Sequence, residues 1–321
     1  MSASVKATPR ISRADLLALR ETSTSISGVS LAGGDYRGVD LQAVRLDCVD
    51  ARGATFNGAR LADTRWRNCQ LDGAYFEGTD MTRARLDACS VQDAHFAEAM
   101  LHGLRAHQCK WLGTNFAGAE LTRSAFDGCD LRSIHLADAG MKNVWLADCN
   151  FAGIDARGAT WDTVQTRACE FSNARFAGAT LLHCSFADTH APGADFSRTH
   201  APFVSFVGAD LSTAKLVDAH LHGAKFNAAT LSRADFSGAD LSMSIWINAQ
   251  ADETRFAAAI LNYADASHLR APGADFTRAN VTGAKLHGAM LDNAIWEGVD
   301  RAAAMGDDPE RLRAERWIPT V

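Results

Sequence analysis

The sequence predicts a repeat solenoid, a fold in which one short unit recurs along most of the chain. A bulky apolar residue returns at every fifth position, from Ile26 to Trp296, with no insertion or deletion. The residue two positions before this centre is usually small, as Ala54, Ala74 and Ala94 show. Because a period of five fits neither an α-helix nor a flat strand, the backbone must turn a corner once in each unit.

The other three positions of each unit carry mostly Asp, Asn, Arg, Thr, Ser or Gly, and we expect them to face solvent. Glycines near the corners, such as Gly53 and Gly58, suit such turns. Where the centre is alanine, the residue two positions before it is often larger than alanine, as Val49 is before Ala51. This compensation is typical of a close-packed core, and it indicates that both positions point inward.

The run Ala-Asp-Phe-Ser-Gly followed by Ala-Asp-Leu-Ser, within residues 231–242, resembles the A-(D/N)-L-x-x unit of pentapeptide-repeat proteins. The resemblance covers about residues 26–300. It implies an all-β fold, a right-handed quadrilateral parallel β-helix with four units per coil and short capping helices at both ends. Two ladders with a 20-residue spacing support the four-sided coil independently: Cys69, Cys89, Cys109, Cys129, Cys149 and Cys169, and Phe56, Phe76, Phe96 and Phe116.

The first segment, residues 1–25, is predicted to be a tail and a capping helix. Ser12 is a suitable N-cap, and Asp15 completes a capping box with it. Ile11 and Leu16 can form a hydrophobic staple across the start of this helix. The helix would cover the first coil, because the open end of a solenoid exposes its core and its strand edges.

The last segment, residues 301–321, leaves the five-residue frame and is predicted to be a second capping helix and a tail. Asp308 followed by Pro309 is a typical helix start, and we expect the helix to end near Trp317. Leu312, Trp317 and Ile318 would seal the last coil. The alternative is a homodimer through this end, as carboxy-terminal elements form in some members of the family.

Composition and cysteine usage favour a cytoplasmic protein, and the family resemblance implies a bacterial one. The net charge of −6 is mild for 321 residues. No apolar run follows the charged start, so we expect neither a signal peptide nor a membrane span. The eight cysteines are placed for packing rather than for pairing, which favours a reducing compartment.

No arrangement of residues predicts an enzyme. The cysteine ladder could bind soft metals, but the alternative, that each thiol fills a small core slot, is favoured. None of the eleven histidines is expected to converge with carboxylates at a metal or triad spacing. Neither a phosphate-binding glycine loop nor a nucleophile elbow is present in the sequence. We therefore expect no catalytic residue, no cofactor and no metal.

The favoured interpretation is a non-enzymatic rod that binds a protein partner of unknown identity. Residues 14–33 are similar to the lead-in of some proteobacterial pentapeptide-repeat proteins linked to type VI secretion. That resemblance implies an accessory or adaptor of a secretion system as one setting. It names no partner, and the partner surface must be inferred from the residues.

The alternative function is mimicry of DNA, which modulates a type II topoisomerase such as gyrase and gives resistance to its inhibitors in some family members. Mimicry needs a continuous acidic surface. Summing the charges by face gives no strongly acidic face, and Arg65, Arg67 and Arg105 make part of one face basic. We expect no direct binding of nucleic acid either.

A group of apolar residues breaks the rule that outward positions are polar. Three lie in one column, two after the centre, and three lie on the adjoining face around Trp246. In a four-sided coil they converge on one edge, and we call them the apolar corner: Phe203, Val207, Met243, Ile245, Ile247 and Tyr263. Clustered apolar surface indicates partner binding. Two alternatives remain, namely scattered surface residues, and side chains that fold over a thin core at Ala251 and Ala266.

Overall fold

The computed structural model describes residues 10–315. Its chain divides into two compact units, Met1–Asp155 and Ala156–Val321. Each unit is a parallel β-solenoid, and a short helix stands at each end of the chain. The predicted all-β parallel β-helix with terminal helices is therefore confirmed.

The first unit begins with a helix and continues as stacked coils. Residues 20 apart pair in parallel, as Leu46 does with Trp66, and this register confirms four units per coil. Single parallel bridges, such as Asp35 to Thr55 and Thr55 to Tyr75, hold the other sides. The elements are α1 (Arg13–Thr22), β1 (Ser25–Ser27), β2 (Arg45–Asp47), β3 (Arg65–Arg67), β4 (Arg85–Asp87), β5 (Arg105–His107), β6 (Ala125–Asp127), β7 (Met141–Lys142) and β8 (Trp145–Ala147).

The second unit repeats the plan with fewer strands. Its strand β9 pairs with β11, and β10 pairs with β12, again in parallel. From Ser185 onward the sides are joined by isolated bridges between residues 20 apart, as between Ser205 and Lys225. The elements are β9 (Thr160–Asp162), β10 (Gln165–Arg167), β11 (Thr180–Leu182), β12 (Ser185–Ala187), a 3-10 helix (Arg301–Ala303) and α2 (Pro309–Glu315).

The five-residue unit follows from the chemistry of one turn. Around Leu71, the N–H of Ala74 donates to the Leu71 carbonyl at 3.0 Å, which closes a β-turn. The residue two after each centre takes a positive φ, 62° at Gly73, as a type II turn requires. The aspartate before a centre accepts from the N–H two residues later, as Asp235 does from Ser237 at 2.9 Å. These bonds explain why the unit reads small, acidic, bulky and then turn-forming.

The core is a set of stacked apolar layers. In the first unit the rings of Phe56 and Phe76 stack at 5.2 Å between centroids, and Phe76 and Phe96 stack at 4.6 Å. In the second unit Phe176 and Phe196 stack at 5.0 Å. Because each coil lies directly over the one before it, identical rings continue the ladder that the 20-residue spacing predicts.

Both terminal helices have the predicted N-caps. The Asp15 N–H donates to Ser12 Oγ at 3.2 Å, and the Ser12 N–H donates to Asp15 Oδ2 at 3.0 Å. At the other end Asp308 Oδ1 accepts the N–H groups of Glu310 and Arg311 at 2.9 and 3.1 Å. The expected helix end near Trp317 and the expected seal by Trp317 and Ile318 lie outside the described residues. Between residues 10 and 315 no helix is both long and apolar enough to cross a bilayer.

Candidate protein-binding surface

The three column residues of the apolar corner occupy the tips of left-handed turns. Phe203, Met243 and Tyr263 have φ values of 60°, 57° and 57°. Their side chains are 61%, 56% and 65% exposed. Glycine adopts this conformation without strain, whereas a bulky residue does so at a cost. The chain therefore carries large, mostly exposed apolar side chains at positions where glycine would be less strained.

The two aromatic rings of the apolar corner lie along the surface over glycines of the next coil. A Cβ added at Gly223 would lie 2.5 Å from Cδ1 of Phe203, and one added at Gly283 would lie 2.6 Å from Cδ1 of Tyr263. Phe203 also packs edge-on against the His222 imidazole, with ring centroids 5.3 Å apart. Small corner residues thus let the rings lie against the backbone and present one broad face to solvent.

The adjoining face contributes less apolar surface than the sequence suggested. Ile245 and Ile247 are half-buried on either side of the buried Trp246. Ile245 bridges to Lys225 in one neighbouring coil and to Asp265 in the other. The corner is therefore an apolar strip bordered by charge.

Val207 lies in the same coil as Phe203, at one end of the strip. It is half-buried, and it lies two coil periods before Ile247 in the same column. Asn227 occupies the coil between them. Phe203, Met243 and Tyr263 are the exposed members of the strip, and Val207 is half-buried beside Phe203.

Trp246 stiffens the corner from beneath. Its indole N–H donates to Ser244 Oγ at 2.7 Å, and that hydroxyl donates to the Leu241 carbonyl at 2.6 Å. The Trp246 ring also stacks on Phe226 with centroids 4.2 Å apart. The apolar corner therefore stands on a packed, hydrogen-bonded layer.

The cysteine ladder is part of the core, as predicted. Six members are buried and form no disulfide: Cys69, Cys89, Cys109, Cys129, Cys149 and Cys169. The Cys89 thiol donates to the Asp87 carbonyl at 3.4 Å. At the further buried thiol of Cys184, burial raises the pKa to about 12, so this group is protonated and a weak metal ligand. Cys48 is the exposed exception.

One expectation about the histidines is wrong. His268 and His287 converge with a carboxylate, because their Nε2 atoms lie 3.4 and 3.2 Å from Glu315 Oε2. His287 is buried, and the three ligating atoms lie within 4.8 Å of one another. No sequence pattern predicts this cluster, because the two histidines occupy different positions of the unit and Glu315 lies on α2, outside the repeat.

Two histidines and a carboxylate are residue types that hold transition metals. Here the Asp308 N–H donates to Nδ1 of His287 at 3.1 Å, so a neutral His287 carries its proton on Nε2. That proton faces Glu315, and a metal at Nε2 would require the opposite tautomer. Partial burial raises the pKa of Glu315, but bonds from Arg311 and His287 outweigh it and leave the pKa below its ordinary value. The cluster is better explained as a hydrogen-bonded clasp between α2 and the last coils.

Family models match most of the repeat region. The model described as pentapeptide repeats (8 copies) matches residues 24–63, 52–87, 169–200, 205–242 and 259–295. The model described as pentapeptide repeat region matches residues 79–156. The chain belongs to the pentapeptide-repeat family. No curated protein matches this pentapeptide-repeat protein significantly in sequence.

Several solved structures are similar to this pentapeptide-repeat protein at low identity. A trypsin-treated variant of QnrB1, a plasmid-mediated fluoroquinolone resistance protein, is 15% identical over 70% of this chain and 89% of its own, with a TM-score of 0.33. HetL, involved in heterocyst differentiation regulation in the cyanobacterium Nostoc sp. strain PCC 7120, is 17% identical over 93% and 98%, with a TM-score of 0.20. Rfr23 from the cyanobacterium Cyanothece 51142 is 14% identical over 43% and 99%, with a TM-score of 0.20.

Proposed function

We propose that this pentapeptide-repeat protein is a non-enzymatic scaffold that binds a protein partner through the apolar corner. The observation that carries the proposal is the exposure of Phe203, Met243 and Tyr263 at left-handed turn tips. Aromatic and methionine side chains are enriched in the cores of protein interfaces, and clustered apolar surface marks interaction sites. A partner that covers these side chains would remove them from water.

The exposure of these apolar side chains supports a role outside the folded chain. Left-handed backbone costs a non-glycine residue roughly 1–2 kcal/mol, and glycine would avoid that cost. Phe203, Met243 and Tyr263 add to this the unfavourable hydration of their exposed side chains. Contacts such as that of Phe203 with His222 cover part of this apolar surface, and burial in a complex would remove the rest from water.

The setting we favour is the bacterial cytoplasm, with the scaffold acting as an accessory or adaptor of a type VI secretion system. Support for this setting comes from the similarity of residues 14–33 to the lead-in of family members linked to that system. The same surface could serve a homodimer, and light scattering at several concentrations distinguishes the two. We therefore place the oligomeric state among the controls of every binding experiment.

Modulation of a topoisomerase by DNA mimicry fits the surface less well. Mimicry needs a continuous acidic face, but Arg45, Arg65, Arg85 and Arg105 stand exposed and in register on one face of the first unit. A protein that binds DNA phosphates presents a positively charged surface, and these arginines would repel it.

The test compares three baits in the native host by affinity purification and mass spectrometry. The first is the unmodified protein, and the second carries Phe203→Ser, Met243→Ser and Tyr263→Ser. The third, a matched control, carries Met290→Ser and Ile295→Ser, which remove exposed apolar side chains outside the corner. We expect a protein retained by the first and third baits and lost from the second.

Retention of the same proteins by all three baits would overturn the proposal. Melting temperature and light scattering show whether each variant keeps its fold and oligomeric state. Topoisomerase subunits among the proteins lost from the second bait would favour the alternative function, and secretion components would favour the adaptor.

A further inference from the structure

Four arginines stand in one column on the face formed by β2–β5. The strand register pairs Arg45 with Arg65, Arg65 with Arg85 and Arg85 with Arg105. All four side chains are exposed. Coils stack at about 4.8 Å, so the arginine column presents a positive charge at each step of the strand spacing.

These arginines differ from several other arginines of the same unit, which are ion-paired. Arg37 and Arg52 are ion-paired with Asp35 and Asp50 at 2.6 and 2.8 Å. Within residues 10–315, no member of the arginine column forms a salt bridge or a side-chain hydrogen bond. Like charges directly opposite each other on neighbouring strands are destabilising. The column is therefore a feature that folding does not explain.

A groove with a tryptophan wall lies at the end of the arginine column. The next position in the column is Ala125, whose small side chain leaves room, and the one after it is Trp145. Trp145 is 51% exposed. The groove has a volume of about 510 Å³, and its lining includes Arg85, Arg105, Arg123 and Trp145. Arginine and tryptophan are the side chains that most often dominate binding energy at protein interfaces.

The neighbouring column restricts the chemistry of the occupant. It alternates in charge, running through Asp47, Arg67, Asp87, His107 and Asp127. His107 Nδ1 lies 3.1 Å from Asp87 and its Nε2 lies 3.8 Å from Asp127. A continuous phosphate backbone would meet a carboxylate at every second coil. A folded peptide can place neutral or basic side chains there instead.

We propose that the arginine column and the Trp145 groove bind an acidic α-helix of a protein partner. Acidic residues that alternate three and four positions apart share one helix face, with a mean rise of about 5.3 Å. The coil spacing is about 4.8 Å, so four charges drift by only ~1.5 Å, which flexible arginines accommodate. An apolar side chain at the helix end then packs on Trp145. This surface belongs to the other compact unit, and its argument is independent of the apolar corner.

The experiment measures binding of a fluorescent designed peptide by anisotropy at about 50 mM salt, where charge is only moderately screened. The peptide has about 18 residues, glutamates on one helix face and a terminal phenylalanine. We expect Arg65→Ala with Arg85→Ala to weaken binding by about tenfold or more, and Trp145→Ala to weaken it as well. The control, Arg37→Ala with Arg52→Ala, removes equal charge from ion-paired sites and should change binding by less than about twofold.

Two further probes make the result decisive. A peptide of the same composition, scrambled so that the glutamates share no face, should bind at least about tenfold more weakly. A single-stranded oligothymidine of about 15 nucleotides should also bind more weakly. Tighter binding of the oligonucleotide would assign the surface to nucleic acid. Equal binding of the scrambled peptide, equal loss in the Arg37 and Arg52 control, or no peptide binding would each overturn the proposal. Circular dichroism checks that every variant is folded.

Discussion

Removing one hydroxyl beneath the apolar corner tests the packing on which the corner depends. Trp246 is 1% exposed, and Ser244 Oγ accepts its indole proton at 2.7 Å. Ser244→Ala leaves that N–H buried without a partner and removes the bond to the Leu241 carbonyl. A buried donor left unsatisfied costs about 1–3 kcal/mol, so we expect the free energy of unfolding to fall by that amount.

A double-mutant cycle isolates the indole bond from other effects of the substitution. In a Trp246→Phe background there is no indole proton, so Ser244→Ala should cost about 1 kcal/mol less than in the unmodified protein. Urea unfolding, followed by far-ultraviolet circular dichroism, gives both values. The same cost in both backgrounds would refute the reasoning.

The chain supplies its own comparison for this bond. Thr64 plays the part of Ser244 for Trp66, with a distance of 3.0 Å. Trp161 has Ala159 at the same place, and its indole nitrogen has no partner. Ala159→Ser should therefore stabilise the protein by up to about 1 kcal/mol, and a loss of stability there would show that the hydroxyl does not reach the ring.

Three further outcomes follow from the buried and paired groups. In the folded protein only Cys48 should react rapidly with a maleimide, and Cys109→Ser should cost about 1–3 kcal/mol; rapid labelling of all the thiols would contradict this. Zinc should leave the melting temperature unchanged, because His287 Nδ1 accepts a main-chain N–H; a saturable rise that His287→Ala abolishes would show a metal site. The hydrogen bond to Asp87 raises the pKa of His107 above 6.5. The contribution of protonated His107 to stability is therefore complete below pH 6.5 and disappears as the pH rises through the raised pKa. An NMR titration of His107 with a midpoint below 6.5 would contradict this.

The fold could be predicted because two periodicities in the sequence, of five and of 20 residues, specify its geometry. The five-residue frame gives the turn, and the 20-residue ladders that contain Cys69 and Phe56 give the coil. Neither signal depends on contacts between distant and unrelated parts of the chain. The inward direction of the thiols and the N-caps of both helices therefore follow from the sequence alone.

The functional surfaces were less predictable for physical reasons. The sum of charges on each face identifies Arg65 and Arg105 as part of a basic region. It cannot show that these side chains have no carboxylate partner, because ion pairing depends on side-chain rotamers. The apolar surface of the corner is less continuous than we expected, because the coil between Phe203 and Met243 carries Gly223 and Lys225. The His287 cluster was missed because α2 lies outside the frame, and the period says nothing about where a helix after the repeat will fold.

Photo-crosslinking in living cells of the native host tests the central claim most directly. A benzophenone amino acid replaces Tyr263, an exposed member of the apolar corner, and in a parallel strain it replaces Met290. Because a crosslink forms only within a few ångströms, we predict one discrete protein adduct from the position of Tyr263 and none of that mass from the position of Met290. No adduct at Tyr263, or the same adducts at both positions, would contradict the account.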